Sequence, residues 1–413
     1  MINYKEHTLS NGLTVLANED ECSAMAAVNL LYRVGSRDES AERTGFAHLF
    51  EHLMFRGTKS IPDFDGPVQE VCGENNAFTT ADYTNFYITT PKDNFETALW
   101  LEADRMTGLD ITPEKLAIEK SVVIEEFNQR FLNRPYGEQW HTLRSMVYTH
   151  HPYRWPVIGL TPDHIRDASL EDVKAFYSRF YNPSNAILSV SAALPAERIF
   201  EAAERYFGEL PPVATPERTE YPAEPRIVSP RRHTIEANVP ADQITIAFVM
   251  DSRGERGYYL CDLLTDLLAG GESARIYQHL VRQRQLFSAA NAYITGESER
   301  GMLILTGQLT EGTTIEEAEE ALYGELEMLV REPVSDYELR KVQNKFEANI
   351  TFGELNVMNK AMNLGYYRML GDMSLLNGEI DIYRSITAEE IADYITKNLS
   401  RNQSATLIYR RKR

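Results

Sequence analysis

The chain has 413 residues, 43% hydrophobic and 25% charged, with a formal net charge of −19 at pH 7. That acidity repels phosphate backbones, and no cluster of Lys and Arg interleaved with aromatics offsets it, which argues against nucleic acid as a partner and leaves Arg410, Arg411, Lys412 and Arg413 as a solvated end. The longest apolar runs are too short to cross a bilayer, and the length favours two domains of roughly 200 residues over a single core.

Residues 1–16 alternate polar and apolar around Asn11-Gly12, without the basic start and continuous apolar stretch of a secretory leader, so a β-hairpin is expected there. Cys22, Cys72 and Cys261 are isolated thiols without ligand-like spacing, which fits a reducing compartment. The cytoplasm is the expected location, or the periplasm if a leader has been removed. Strand-like runs follow at residues 26–34 and 85–90, and again at 243–249 and 302–308, between longer helical patterns. Hairpin-joined strands and long helices predict an α+β fold with helices packed on mostly antiparallel sheets.

From Thr44 to Thr58 apolar residues recur at helical spacing, until Gly57 is expected to end the helix. His48 and His52 stand one turn apart on one face of it, where two imidazoles can meet a single tetrahedral ion. Glu51, three residues after His48, shares that face but points to one side, so it can reach a water at the open metal position and act as a base. Alone, this His-x-x-Glu-His pattern also fits an ordinary amphipathic helix with satisfied histidines. A catalytic zinc needs a third protein ligand, and the best donor lies on a helix expected to start at Thr112 and Pro113. Glu119 and Glu126 share one face of that helix with Leu116 and Val123. Two carboxylates on an apolar stripe are costly without a cation beside them. One zinc ion per chain, held by His48, His52 and Glu126, meets that need, and Glu119 is left to hydrogen-bond a ligand or hold substrate.

Further along, His150 and His151 are adjacent and diverge in direction, so they are expected to be loop or structural histidines. Ser169, followed by acidic residues, caps an amphipathic stretch that leads to a β-branched run from Asn185. The same pattern returns about half the chain later, from Thr387 to the run that starts at Ser404, and suggests a duplicated domain. Between the copies, residues 211–230 hold six prolines and no helical or strand period. Domains are accordingly expected at 1–210, carrying the zinc motif, and at 231–413, homologous but without it, with 211–230 as linker. Gly270-Gly271 lacks a phosphate-binding fingerprint and reads as a helix-entry turn.

These residues resemble the insulinase/pitrilysin family of inverzincin zinc metallopeptidases, which includes the mitochondrial processing peptidase and bacterial relatives. The resemblance rests on His48 to His52 and the glutamate pair, and implies Glu126 as third ligand and Glu119 as an auxiliary catalytic acid. Residues 73–79 and 82–87 look like the family's edge strand, which implies substrate pairing along Asn76, Ala77 and Phe78. It further implies half of a clam-shell, a chamber for peptides and short unfolded segments, and a homologous partner subunit or a second copy of the chain. Family members usually add an Arg and a Tyr, seven apart, from the C-terminal domain to grip the substrate carbonyl. Here the corresponding positions hold Val281 and Ser288, with Arg282 one place off, so the resemblance implies a partner that supplies this clamp. A non-catalytic core subunit is the rival reading, and a self-sufficient homodimer is a second.

Overall fold

The computed structural model describes Met1–Lys412, which divide into two compact units. Neither is a continuous stretch: the first comprises Met1–Phe127, Trp155–Glu220 and Ile350–Asn377, the second Asn128–Arg154, Tyr221–Asn349 and the described residues from Gly378 onward. Within the proline-rich segment the boundary falls between Glu220 and Tyr221, and residues 211–227 form neither helix nor strand. Among the described residues no helix is long and apolar enough to cross a membrane.

The fold is α+β, with one sheet in each unit. In the first, strands β1 (Lys5–Thr8), β2 (Thr14–Glu19), β3 (Met25–Tyr32), β4 (Glu74–Thr79), β5 (Thr84–Pro91) and β6 (Ala186–Ala192) lie in the order β1-β2-β6-β3-β5-β4. The hairpin around Asn11-Gly12 forms β1 and β2, closed by Leu9 and Leu13. Only β2 and β6 run parallel; the other neighbours are antiparallel. The second sheet holds β7 (Arg231–Ala237), β8 (Gln243–Val249), β9 (Phe287–Ile294), β10 (Met302–Leu309) and β11 (Ser404–Arg411), in the order β7-β11-β8-β10-β9, and again only its first pair, β7 and β11, is parallel. Strand for strand this repeats β2-β6-β3-β5-β4, so the two units share one topology. Their closing segments match too. Ser169 and Asp172 form a reciprocal capping box ahead of β6, and Thr387 and Glu390 form another ahead of β11.

Four helices of the first unit matter here: α1 (Phe46–Leu53), α2 (Asp65–Glu70), α3 (Phe95–Thr107) and α4 (Pro113–Phe127). β3 is buried from Ala26 to Tyr32, which explains why its run does not alternate. Ala27, Asn29 and Leu31 face the helix Val357–Leu370, and the intervening residues face the other way. That helix approaches closely because Gly365 has no side chain: a Cβ there would stand 3.0 Å from Asn29 Nδ2 and 3.2 Å from Ser189 Oγ. Ser189 Oγ donates to Ala361 O at 2.7 Å across the same contact.

One sequence expectation needs correction. α1 stops at Leu53, four residues before Gly57. Phe55 N and Arg56 N donate to His52 O and Leu53 O, tightening the last turn, and Gly57, at φ 73°, enters a separate turn in which Thr58 N reaches Ile61 O. The Gly270-Gly271 turn does lead into a helical stretch, from Arg275, and Gly270 also caps the helix before it, Arg256–Ala269, its N–H bonded to Asp266 O.

Candidate metal centre

The first turn of α1 is held from outside the helix. Gly45, at φ 92°, starts it; a Cβ there would lie 2.7 Å from Ile158 O, so both conformation and space require glycine. The carboxylate of buried Glu39 accepts from Gly45 N and Ala47 N, each at 2.8 Å, satisfying two of the donors that a helix start leaves open. Burial pushes the Glu39 carboxyl well above the ordinary range, against the pull of those N–H groups. Glu39→Ala is expected to lower stability by roughly 1–3 kcal/mol, since two buried N–H groups lose their acceptor. Glu39→Gln, which retains an acceptor, should cost less, and denaturant unfolding of chelator-treated protein measures both.

One face of α1 packs Phe50 against Phe176, Tyr177 and Tyr181, all in stacked contact. The opposite face carries His48 and His52 toward α4. There Thr112 Oγ1 accepts from Lys115 N, Pro113 takes the first turn, and Leu116, Glu119, Val123 and Phe127 form the buried stripe.

His48 Nε2 lies 3.7 Å and His52 Nε2 3.3 Å from Glu126 Oε2, and one donor atom from each of the three residues lies within 4.8 Å of the others. Ligands at zinc's usual bond lengths stand roughly 3.3–3.6 Å apart in a tetrahedron, so two nitrogens and one oxygen of this spacing suit such an ion. His52 Nδ1 faces Glu119 Oε2 at 3.5 Å, and Glu119 Oε1 is ion-paired to Arg56 Nε. A carboxylate behind the second ring nitrogen is the arrangement that orients ligating histidines. The Glu119 side chain is only 2% exposed. Burial raises its pKa, but His52 and Arg56 outweigh that and hold it below the ordinary range. Burial works against a charged His52 as well, yet Glu119 and Glu126 raise it to about 9. Carboxylates that favour a proton this strongly also favour a dication in its place.

Glu51 leaves α1 toward β4, where its Oε2 accepts from Thr79 Oγ1 at 2.7 Å. β4 is the sheet edge, paired on one side with β5 through Asn76–Tyr87, Ala77–Phe86 and Phe78–Asn85. Ala77 N is turned to the Asn76 side chain, bonded to Oδ1 at 2.8 Å.

In the second unit, Val281 and Arg282 sit on the helical stretch Tyr277–Gln283, and Ser288 lies near the start of β9, its hydroxyl donating to Gln308 O at 3.3 Å. His150 and His151 lie in a loop, where both backbone N–H groups reach Glu224 Oε2 at 3.1 Å. His151 Nδ1 accepts from Tyr153 N and its Nε2 bonds Glu299 Oε2 at 2.7 Å, a structural arrangement.

Three contributors at the site escaped the sequence reading. Arg56 had a signal, since a carboxylate pair on an apolar stripe calls for a nearby cation. Thr79 lay inside the edge-strand motif without a role, and Glu39 had no signal.

The family model described as "Insulinase (Peptidase family M16)" matches residues 14–145, and "Peptidase M16 inactive domain" matches residues 167–346. A zinc protease of Helicobacter pylori, PqqE, is 29% identical over 343 residues, covering 81% of this chain and 77% of its own length. A probable mitochondrial-processing peptidase subunit beta of Schizosaccharomyces pombe is 27% identical over 308 residues, covering 71% of this chain and 67% of its own. Among solved structures, a protease from Helicobacter pylori superposes with a TM-score of 0.94 at 25% identity, covering 99% of this chain and 100% of that one. The fold and these matches define a chain similar to zinc proteases, its N-terminal part matching the M16 peptidase model and its C-terminal part the M16 inactive-domain model. The chain belongs to the insulinase family, peptidase family M16.

Proposed function

We propose that the chain is the zinc-bearing subunit of an endopeptidase that hydrolyses peptides or short unfolded segments. His48, His52 and Glu126 hold one zinc ion, Glu51 is the general base, and Glu119 orients His52. The observation that carries this reading is the convergence of two imidazoles and one carboxylate, with a further glutamate, Glu51, turned aside to β4. When bound, zinc supplies a Lewis acid that acidifies water and polarises a peptide carbonyl. Glu51 takes the proton of the attacking water and returns it to the leaving amine. The free edge of β4 offers Asn76, Ala77 and Phe78 to an extended substrate backbone, which orients the scissile bond. The proline-rich segment 211–230 joins a zinc-bearing half of the sequence, residues 1–210, to a homologous half, residues 231–413, and each compact unit borrows a segment from the other half, 350–377 and 128–154.

The reading includes a partner. With Val281 and Ser288 at the clamp positions, those two positions supply neither a cationic nor a phenolic donor for the carbonyl oxygen as negative charge develops on it. One well-placed donor of this kind contributes about 10²–10³ in rate. The relative named as a processing-peptidase subunit fits a divided site. The purified chain alone is expected to cleave peptides weakly, and a homologous subunit bearing the Arg and Tyr should stimulate it by at least about 10²-fold. Cleavage is measured with and without that subunit, and with and without chelator, alongside zinc stoichiometry. Robust chelator-sensitive turnover by the chain alone would sink the divided site and favour a homodimer; absence of zinc would sink the peptidase reading itself.

A further inference from the structure

Glu51 reaches the site through a side chain with three rotatable bonds, from a helix only eight residues long. The hydrogen bond from Thr79 Oγ1 to its Oε2, 2.7 Å long, anchors that side chain from the edge strand. Thr79 is well placed to be rigid. It is β-branched and therefore stiff at χ1. It is the last residue of β4 and pairs with Thr84, whose hydroxyl is tied to Val34 O at 2.9 Å. The next residue, Thr80, staples the β4–β5 turn: its Oγ1 accepts from Asp82 N and Tyr83 N, and its backbone N donates to Tyr83 O at 2.8 Å.

We infer that Thr79 is the positioning residue of the general base, and that it couples the base to substrate docking along β4. This rests on the reading of Glu51 given above. Thr79 directly follows Phe78 on the strand whose edge the substrate would occupy. Pairing there stiffens β4 and with it the hydroxyl that orients Glu51. A peptide long enough to pair along β4 therefore gains in turnover as well as in binding, and a short one forfeits turnover.

Thr79→Val removes the hydroxyl while keeping the branched shape, and Thr79→Ser keeps the hydroxyl. Both are assayed on the assembly that cleaves a quenched fluorogenic peptide, beside Glu51→Gln. Thr79→Val should keep the parental zinc stoichiometry and KM within about twofold, and lose roughly 10- to 100-fold in kcat, the scale of a misplaced reacting group. Thr79→Ser should restore most of kcat. Thr79→Ala is read in the same way and covers a folding loss in Thr79→Val. A second readout needs no activity: in chelator-treated protein, the drop in unfolding midpoint caused by Thr79→Val should vanish once Glu51 is alanine, because the partner is then gone. Parental kcat in Thr79→Val, a defect that Thr79→Ser fails to restore, or additive midpoints in the double variant would each overturn the inference. Activity in Glu51→Gln would instead overturn the assignment of the base, so the two failures are told apart.

Discussion

Glu51→Gln is expected to bind zinc at the parental stoichiometry and to lose peptide hydrolysis by at least about 10³-fold. The amide keeps the shape and can still accept from Thr79, so α1 and the two histidines are undisturbed. What it cannot do is take a proton. General-base transfer contributes about 10²–10⁴ by itself, and here the same group must also protonate the leaving amine, so both halves of the reaction fail together. Metal analysis and a discontinuous peptide assay on one preparation decide the point. Cleavage above a trace of the parental rate would remove Glu51 from the mechanism.

The second large effect separates the two glutamates of α4. Glu126 Oε2 lies 3.3 Å from His52 Nε2 and 3.7 Å from His48 Nε2, so Glu126→Ala takes away one of the three proposed ligands and should release the metal under dialysis. Glu119 lies behind His52, on the other ring nitrogen. Glu119→Ala should retain most of the zinc at saturating metal while weakening its affinity about 10- to 100-fold, the usual cost of removing a carboxylate that supports a ligating histidine. It also leaves Arg56 without its partner, so a modest loss of stability accompanies it. Zinc stoichiometry after dialysis against graded chelator distinguishes the two variants. Unchanged metal content in Glu126→Ala would refute its place as a ligand.

Much of this site can be read from the chain because its parts are local. His48 and His52 need only the period of a helix to share a face, and Glu119 shares the α4 stripe with Leu116 and Val123 for the same reason. The edge strand was legible through the family resemblance of residues 73–79 and 82–87, and the strands at 243–249 and 302–308 lie within a residue of β8 and β10. Contacts that arise only when elements meet were not legible. Glu39 reaches the start of α1 because the loop before it folds back, and Thr79 meets Glu51 because the edge of the sheet passes beside α1. Gly57 misled for a related reason. A glycine marks a point where the chain can turn, but the tight bonds at His52 and Leu53 had already ended the helix.

The helix Val357–Leu370 lies on the first sheet although it is encoded near the end of the chain. Ile2, Leu16, Leu31 and Ile187 are buried against Leu364, Tyr367 and Leu376, and Ile2 is further tied through its backbone to Asn377. Until residues 350–377 have been synthesised, one face of that sheet stays wet and apolar. The unit that carries the proposed metal ligands is thus completed late in translation, well after its own histidines have emerged. A ribosome-bound chain that has reached only the proline-rich segment holds His48, His52, Glu119 and Glu126 on a scaffold still short of its cover, and the finished unit forms only after most of the second has been made.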